Sequence, residues 1–192
     1  MTEQRKKRFL SVLEHRQPTL TVVMEDIHDP HNVSAMLRSA DAVGVLQVQL
    51  VYINEKFPKL GKKSSASANK WIARRPFTSV EHCYEQLHKE GFMIYATHLG
   101  KKTKSLYELD FTKKVALVFG NEHRGVSDNA AQLADENFQI PMVGMIQSLN
   151  VSVASAVSLY EAFRQREQAG MYKQASLKKL TLKKLFDEWT QK

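Results

Sequence analysis

Six short apolar runs of strand length recur along the chain and are separated largely by segments with helical periodicity. The runs are LTVVMED from Leu20, VQLVYI, WIARRPF, FMIYATHL, VALVFG and FQIPM. Apolar runs of this length predict strands buried on both faces, since a half-exposed strand alternates apolar and polar residues. The segment after the first run has a helical stripe that contains Val33, Met36 and Leu37, with Gly44 just past its end. Alternation of strand and helix predicts an α/β fold, with a mainly parallel sheet and helices on both faces.

Both ends of the chain also have helical patterns. Residues 3–16 fit a basic amphipathic helix, and residues 176–190 fit a last helix. The apolar side of the last helix is predicted to consist of Leu177, Leu180, Leu185 and Trp189. We therefore expect a central domain over residues 19–170, a basic N-terminal extension over 1–18 and a helical C-terminal extension over 171–192.

Three further segments complete the prediction. Residues 56–70 are rich in Pro, Gly, Ser and Lys and predict a loop, whereas residues 78–90 fit a helix closed by Gly91. Residues 150–168 predict another helix, which follows the polar Ser148. A cap at Ser148 or Asn150 would satisfy the free N–H groups of that helix. Capping explains one of the polar residues Ser148, Asn150 and Ser152, but not all three.

The charge balance favours an anionic partner. The 192 residues include 28 Lys and Arg against 20 Asp and Glu, a net charge of +8. Nucleic acid is the first candidate and an acidic membrane surface the second, while a merely soluble basic protein remains equally open. The single cysteine, Cys83, excludes an internal disulfide framework and suits a reducing compartment. With no apolar run of membrane-spanning length, we expect a cytoplasmic protein that does not enter a membrane.

Common nucleotide-binding motifs are absent or incomplete. The sequence Gly61-Lys62-Lys63-Ser64 is the nearest match to a P-loop, but Lys56 stands where the first glycine belongs and Lys63 where the hydroxyl belongs. A dinucleotide fingerprint needs three spaced glycines after a strand, and GNEHRG offers only Gly120 and Gly125. Both cofactor sites are therefore disfavoured.

Metal-dependent and covalent chemistry have little support either. His28 and His31 have a spacing that could ligate a metal, but no further Cys or His completes a shell, so no metal is expected. Ser148 lacks the glycine frame of a nucleophile elbow, and Cys83 lies in a predicted helix without a reactive signature.

Three segments in order carry a more specific pattern. The first contains Asn32 and Arg38, the second is GNEHRG from Gly120, and the third is IPMVGMIQSLNVSVA from Ile140. Together they closely resemble the three motifs of the SPOUT superfamily of RNA methyltransferases. Within it, the chain resembles the tRNA guanosine-2′-O-methyltransferase branch from end to end, including the basic N-terminal helix and the C-terminal helix with its Trp.

The resemblance implies a fold and a cofactor. It implies a parallel sheet whose C-terminal segment threads a loop to form a deep trefoil knot, which is an exception among protein folds. It also implies S-adenosyl-L-methionine bound in the knot, held largely by backbone groups of three loops. The matching residues are Thr97, Leu99, Gly120, Ile140, Met142 and Leu149. A buried polar ligand would explain the polar residues of the third motif, and Gly120 and Gly144 would let the backbone approach closely.

The catalytic residues implied by the resemblance are Arg38, Asn32, Glu122, Ser148 and Asn150. Each has a plainer reading. Glu122 and Asn150 could be helix-capping groups, and Arg38 could be a surface ion-pair residue. In this family the arginine is commonly assigned as the base at the ribose 2′-hydroxyl, but a guanidinium stays protonated in proteins. Arg38 could instead anchor a phosphate and stabilise the developing alkoxide.

The resemblance further implies a homodimer that acts on tRNA, most specifically on the D-loop guanosine. Arg8 matches an arginine that family dimers contribute to the partner's substrate site, although it could also be one more solvated charge. Further RNA contacts are predicted at Lys62, Lys63, Arg74 and Arg75. The alternatives are methylation of the tRNA wobble nucleotide, methylation of ribosomal RNA, and an inactive RNA-binding relative. The loop SSASANKW lacks a glycine that related sequences often carry, which leaves its RNA contacts open.

Overall fold

A parallel sheet forms the centre of the molecule. The computed structural model describes residues 1–61, 68–100 and 103–192. Within them, seven strands form one sheet in the order β3-β2-β1-β6-β4-β7-β5, and every neighbouring pair is parallel. The strands are β1 (Leu20–Glu25), β2 (Gln47–Val51), β3 (Ala73–Phe77), β4 (Met93–Thr97), β5 (Lys104–Ser105), β6 (Val115–Phe119) and β7 (Glu136–Gln139). The predicted parallel sheet is confirmed.

Helices cover both faces of this sheet, as predicted. They are α1 (Glu3–Glu14), α2 (Pro30–Ala42), α3 (Ala68–Trp71), α4 (Val80–Lys89), α5 (Asp128–Leu133), α6 (Val151–Gln168) and α7 (Lys179–Thr190), with a short 3-10 helix at Leu106–Glu108. On β1, Val22 belongs to the core cluster under α2 and α6, whereas its neighbour Val23 belongs to the cluster under α4 and α5. Successive side chains of a strand point to opposite faces, so a continuous apolar run supplies both cores.

A buried arginine fixes the far end of α6. Arg166 is 0% exposed, and all its guanidinium hydrogen bonds go to uncharged acceptors. They are the carbonyl oxygens of Phe111 (2.9 Å), Thr19 (2.9 Å) and Lys113 (2.7 Å), the Thr19 hydroxyl (2.8 Å) and the Gln17 amide oxygen (3.2 Å). Burial lowers the pKa of Arg166 to about 10. The C-terminal turn of α6 is thereby joined to the chain segments that lead into β1 and β6.

The two terminal helices pack on each other in a small cluster of their own. Phe9 of α1 and Trp189 of α7 are buried, with ring centroids 5.8 Å apart. Trp71 of α3 lies 5.0 Å from Trp189 and completes the aromatic group. Arg16 is also fully buried, and its guanidinium donates to Asp41 (2.6 Å). The cluster therefore ties both ends of the chain to α2 and α3.

The structure corrects several details of the prediction. The last apolar run, FQIPM, is a strand only up to Gln139, because the chain leaves the sheet before Pro141, which has no N–H to donate. Leu180 is 81% exposed and does not belong to the apolar side of α7. Leu182, Leu185 and Phe186 pack there beside Trp189 instead. Residues 68–70, predicted as loop, are helical, and the two-residue β5 was not predicted because so short a strand has no periodicity.

Trp189→Ala tests whether the aromatic cluster of Phe9, Trp71 and Trp189 holds the terminal helices together. Large-to-small substitution at a buried aromatic residue leaves a cavity, so we expect the free energy of unfolding to fall by about 3–5 kcal/mol. Leu180→Ala, in the same helix but exposed, is the matched control and should leave the melting temperature nearly unchanged. Thermal melts of both variants at low and high salt provide the measurement. Equal stability of the two variants would contradict the packing described here.

Candidate active site

One cavity of about 620 Å³ opens at the carboxyl ends of β4, β6 and β7. Its walls come from the segments that follow these strands. They are residues 97–99, residues 119–126 with Asp128, and residues 138–140, 142, 147–151 and 154. Ligands of open α/β sheets bind at this edge, because the loops after parallel strands converge there. Its volume lies within the range of pockets that enclose small-molecule ligands.

The loop after β6 has a backbone shape that requires its glycines. A Cβ on Gly120 would lie 2.1 Å from the carbonyl oxygen of Gly125, so no other residue fits without moving the backbone. Gly125 has a φ of +72°, which L-residues rarely adopt. Asn121 holds the loop from inside, because its side chain donates to the Asp26 carbonyl (2.8 Å) and accepts from the N–H of His123 (3.0 Å).

The six residues matched to cofactor binding all line this cavity. They are Thr97, Leu99, Gly120, Ile140, Met142 and Leu149. The Thr97 hydroxyl donates to the carbonyl of Val118 (3.0 Å) and fixes the end of β4 against β6. Nothing among the described residues lies within 4 Å of a Cβ built on Gly144. The close approach of its backbone to a ligand stays a prediction.

Three of the predicted catalytic side chains form one hydrogen-bonded row beside the cavity. The Asn32 amide donates to the Glu122 carboxylate (2.9 Å), and the Asn150 amide donates to the Asn32 carbonyl oxygen (3.1 Å). Glu122 also accepts from the backbone N–H groups of His28 and Asp29, each at 3.0 Å. This row joins the loop after β6 to the first turns of α2 and α6.

Helix capping accounts for part of this arrangement, as the plainer reading anticipated. Asn150 is the N-cap of α6 and accepts from the backbone N–H of Ser152 (2.9 Å). Glu122 binds the N–H groups at the start of α2, where the positive end of the helix dipole favours a carboxylate. Burial alone would raise the pKa of Glu122, but these hydrogen bonds and that of Asn32 outweigh it and lower the pKa below its usual value. Glu122 is therefore ionised at neutral pH.

Arg38 does not reach the cavity within one chain. It is exposed on α2 and lies in a separate shallow depression of about 330 Å³ with Ala35, Ser39, Ala42 and Tyr160. Asn32 and Arg38 are six residues apart, so on a helix with 3.6 residues per turn they point to different sides. Ser148, by contrast, lines the cavity with its side chain exposed.

The residues predicted to bind RNA are spread over the surface. Arg8 is exposed on α1. Arg74 and Arg75 lie on β3, an edge strand, where Arg74 stands over the Phe57 ring and Arg75 pairs with Glu90 (2.6 Å). Lys62 and Lys63 lie outside the described residues.

The sequence prediction missed several polar residues of the cavity wall. They are His98, His123, Arg124, Asp128, Gln139 and Gln147. All stand within or next to the segments already singled out, so proximity to those motifs was the available signal. Asp26 had no such signal, yet its carboxylate accepts from the backbone N–H groups of Ile53 (2.8 Å), Asn54 and Glu55 (both 3.2 Å).

The structure also bears on metals and membranes. Across residues 1–61, 68–100 and 103–192, no group of three or more His, Cys, Asp or Glu side chains is arranged to hold a metal ion. His28 instead contacts Glu55 (3.2 Å). In that same part of the chain, no helix has the length and apolar character needed to cross a membrane.

Comparison with known proteins identifies the family. The sequence profile of the SpoU rRNA Methylase family matches residues 19–160. The chain belongs to the SpoU methylase family. A family member from Thermus thermophilus, tRNA (guanosine(18)-2′-O)-methyltransferase, is 44% identical over 100% of this chain and 98% of its own.

Solved SpoU structures share the fold. The TrmH/SpoU tRNA modifying enzyme of A. aeolicus superposes with a TM-score of 0.92 at 40% identity, covering 97% of this chain and 95% of that one. The SpoU methyltransferase AviRb of Streptomyces viridochromogenes, solved in complex with the cofactor AdoMet, has a TM-score of 0.68 at 25% identity. That match covers 80% of this chain and 59% of AviRb.

Glu122→Gln tests the row of hydrogen bonds at this SpoU site. Gln presents an NH₂ group to donors that now meet a carboxylate, so we expect a loss of about 1–3 kcal/mol in the free energy of unfolding at pH 7. A carboxylate with a lowered folded pKa stabilises the protein above its unfolded pKa of about 4.3, and this contribution disappears as pH falls through the folded pKa. The difference between the two proteins should therefore shrink towards zero in acid.

Denaturant unfolding from pH 7 down to about pH 3 measures that difference. Glu167→Gln, at an exposed position on α6, is the control and should lose little at any pH. A Glu122→Gln defect that is independent of pH would show that the carboxylate charge does not stabilise the site.

Proposed function

We propose that this protein is an S-adenosyl-L-methionine-dependent tRNA (guanosine-2′-O-)-methyltransferase. It transfers a methyl group to the ribose 2′-hydroxyl of the D-loop guanosine at position 18, the nucleotide named for the Thermus thermophilus relative. One observation carries the proposal. The six residues matched to cofactor binding surround a single cavity in a chain that aligns with that relative over its whole length. A tRNA substrate also implies a cytoplasmic protein.

The cavity suits the proposed cofactor. Apolar side chains of Leu99, Ile140 and Leu149 line it and would cover a flat adenine ring. Because Gly120 has no side chain, the Gly125 backbone packs directly against it, and both residues line the cavity. When bound, the sulfonium of S-adenosyl-L-methionine supplies an activated methyl group, so a metal is not part of the proposed reaction.

The contribution of the protein is mainly orientation. Holding a ribose oxygen in line with the methyl group can supply about 7–11 kcal/mol of the rate enhancement. Glu122 is fixed by α2 and Asn150 by α6, so the row through Asn32 makes the cavity wall rigid. Ser148 is exposed at the same wall and available to the ribose. We assign Arg38 to the 2′-hydroxyl or an adjacent phosphate, where a guanidinium would stabilise developing negative charge.

The position of Arg38 supports the proposed homodimer. In one chain it lies in a depression separate from the cavity, so a complete site needs a second copy or the RNA itself to bring Arg38 and the cofactor together. We propose that two chains associate so that Arg8 of one chain and Arg38 of the other act on the same ribose.

We also propose that α6 enters its place by threading a trefoil knot. In support, β7 lies between β4 and β5, and α6 then packs against α2 while Arg166 binds the segment before β6. An experimental backbone trace that closes without a knot would contradict this.

The division into residues 1–18, 19–170 and 171–192 stays a proposal. At the junctions, the side chains of Gln17 and Tyr172 are hydrogen-bonded to Arg166 and to the Val43 carbonyl. The proposed RNA contacts are Arg8, Lys62, Lys63, Arg74 and Arg75.

Incubation with unmodified tRNA and S-adenosyl-L-methionine tests the function. Digestion and mass spectrometry should find one 2′-O-methylguanosine at position 18 of tRNA, with and without a chelator. Arg38→Ala should bind the cofactor normally in calorimetry, yet transfer methyl groups slower by orders of magnitude. Arg38→Lys should rescue little, because a point charge does not replace the planar fork. Methylation at the wobble nucleotide or in ribosomal RNA instead would overturn the proposed substrate.

Subunit mixing tests the shared site. Arg8→Ala and Arg38→Ala homodimers should each be impaired, whereas a mixed dimer would contain one site with both arginines. We expect partial recovery of methyl transfer on mixing. Subunit exchange should be verified independently with differently tagged chains. Absence of recovery in verified mixed dimers would refute the contribution of Arg8 in trans.

A further inference from the structure

Arg124 lines the cavity, with its backbone fixed and more than half of its side chain exposed. It belongs to the loop after β6, which the Gly120 contact and the Asn121 hydrogen bonds hold in one shape. The Arg124 side chain is 56% exposed. Only its Nη2 atom has a partner among the described residues, so most of its N–H donors face solvent.

The partners of Arg124 hold it loosely. Nη2 lies 3.4 Å from the Glu55 carboxylate and 3.9 Å from that of Asp26. Other arginine–carboxylate pairs in this protein are shorter, at 2.6 Å for Arg16 with Asp41 and 2.7 Å for Arg164 with Glu161. A close guanidinium–carboxylate pair has a donor–acceptor distance of about 2.7–2.9 Å.

Neither carboxylate needs Arg124 for its own stability. Asp26 is already satisfied by the backbone N–H groups of residues 53–55 and by the Asn54 amide (2.9 Å). Glu55 has a second partner in His28. The two carboxylates can therefore release the arginine without being left as unpaired buried charges.

Although Arg124 belongs to the cavity wall, its guanidinium contacts two carboxylates that are not part of the lining. Asp26 directly follows β1 and Glu55 lies in the segment after β2, whereas the cavity opens at β4, β6 and β7. The guanidinium thus lies beside the cavity, above the β1 and β2 ends and near the start of α2. An RNA backbone that extends from a ribose at the cavity towards the start of α2 would meet this surface.

We propose that Arg124 binds a backbone phosphate of the RNA next to the nucleotide being methylated, and that Asp26 and Glu55 hold its side chain when no RNA is bound. The proposal rests on the proposed function, since it assigns a contact within that substrate complex. A guanidinium fork can bind phosphate oxygens through two parallel hydrogen bonds. Exchange of loose carboxylate contacts for a phosphate would then position the ribose.

Arg124→Ala provides the first test. Loss of a charge-assisted hydrogen bond should weaken tRNA binding by roughly tenfold or more. Because one phosphate contact is lost, the log–log salt slope should flatten by about 0.7–0.9. Cofactor affinity, measured by calorimetry, should be unchanged. Lys113→Ala removes the same charge from the opposite, amino end of β6 and is the matched control, which should leave both quantities nearly as they are.

Glu55→Gln provides a test that a merely structural arginine would not pass. If Glu55 competes with phosphate for Arg124, its neutralisation should tighten tRNA binding severalfold in the parent protein. In the Arg124→Ala background the same substitution should have a clearly smaller effect. Equal effects in both backgrounds would show that only general charge repulsion is relieved, and would overturn the competition.

The outcomes separate this proposal from the function on which it depends. If the parent protein does not methylate tRNA, the proposed function itself fails. If the parent is active and Arg124→Ala binds tRNA as well as Lys113→Ala does, the assignment of Arg124 alone is wrong. If Arg124→Ala instead weakens S-adenosyl-L-methionine binding, the arginine serves the cofactor and the phosphate contact is refuted.

Discussion

The buried guanidinium of Arg166 is the interaction on which the geometry of the cavity depends. It binds five uncharged acceptors and so fixes the C-terminal turn of α6 against the amino ends of β1 and β6. A helix of 18 residues spans roughly 27 Å, enough to run from the amino ends of the strands to their carboxyl ends. Its opposite end carries Asn150, which meets Asn32 beside the cavity. An anchor at one edge of the sheet therefore sets the position of polar groups at the other.

Capping and chemistry are compatible roles for the same side chains. Glu122 and Asn150 satisfy the N–H groups at the starts of α2 and α6, and Asn32 connects them. Helix starts place backbone donors at the strand ends where ligands bind, so residues that cap them necessarily line the site. The plainer reading of these residues describes how they are held, while the proposed reaction describes what such rigid groups can orient.

The fold was largely predictable, because apolar runs buried on both faces identify the strands of a parallel sheet directly. The cavity residues were found through motif resemblance, since hydrogen-bonding partners 90 residues apart, such as Asn32 and Glu122, leave no periodic signal. The burial of Arg166 and Arg16 was not predictable, because arginine is ordinarily a surface residue. Leu180 was wrongly predicted to lie on the apolar side of α7. The helix itself was predicted correctly, but which of its residues face α1 depended on tertiary packing.

The edge strand β3 has a further consequence for the protein in a crowded cell. An uncovered strand edge offers unpaired N–H and C=O groups to any passing chain and is a common starting point for aggregation. Here that edge carries Arg74, Arg75 and Pro76. Proline removes a donor, and neighbouring positive charges repel a second copy of the same edge. The residues proposed to attract RNA thus also keep one molecule's sheet from extending into another's.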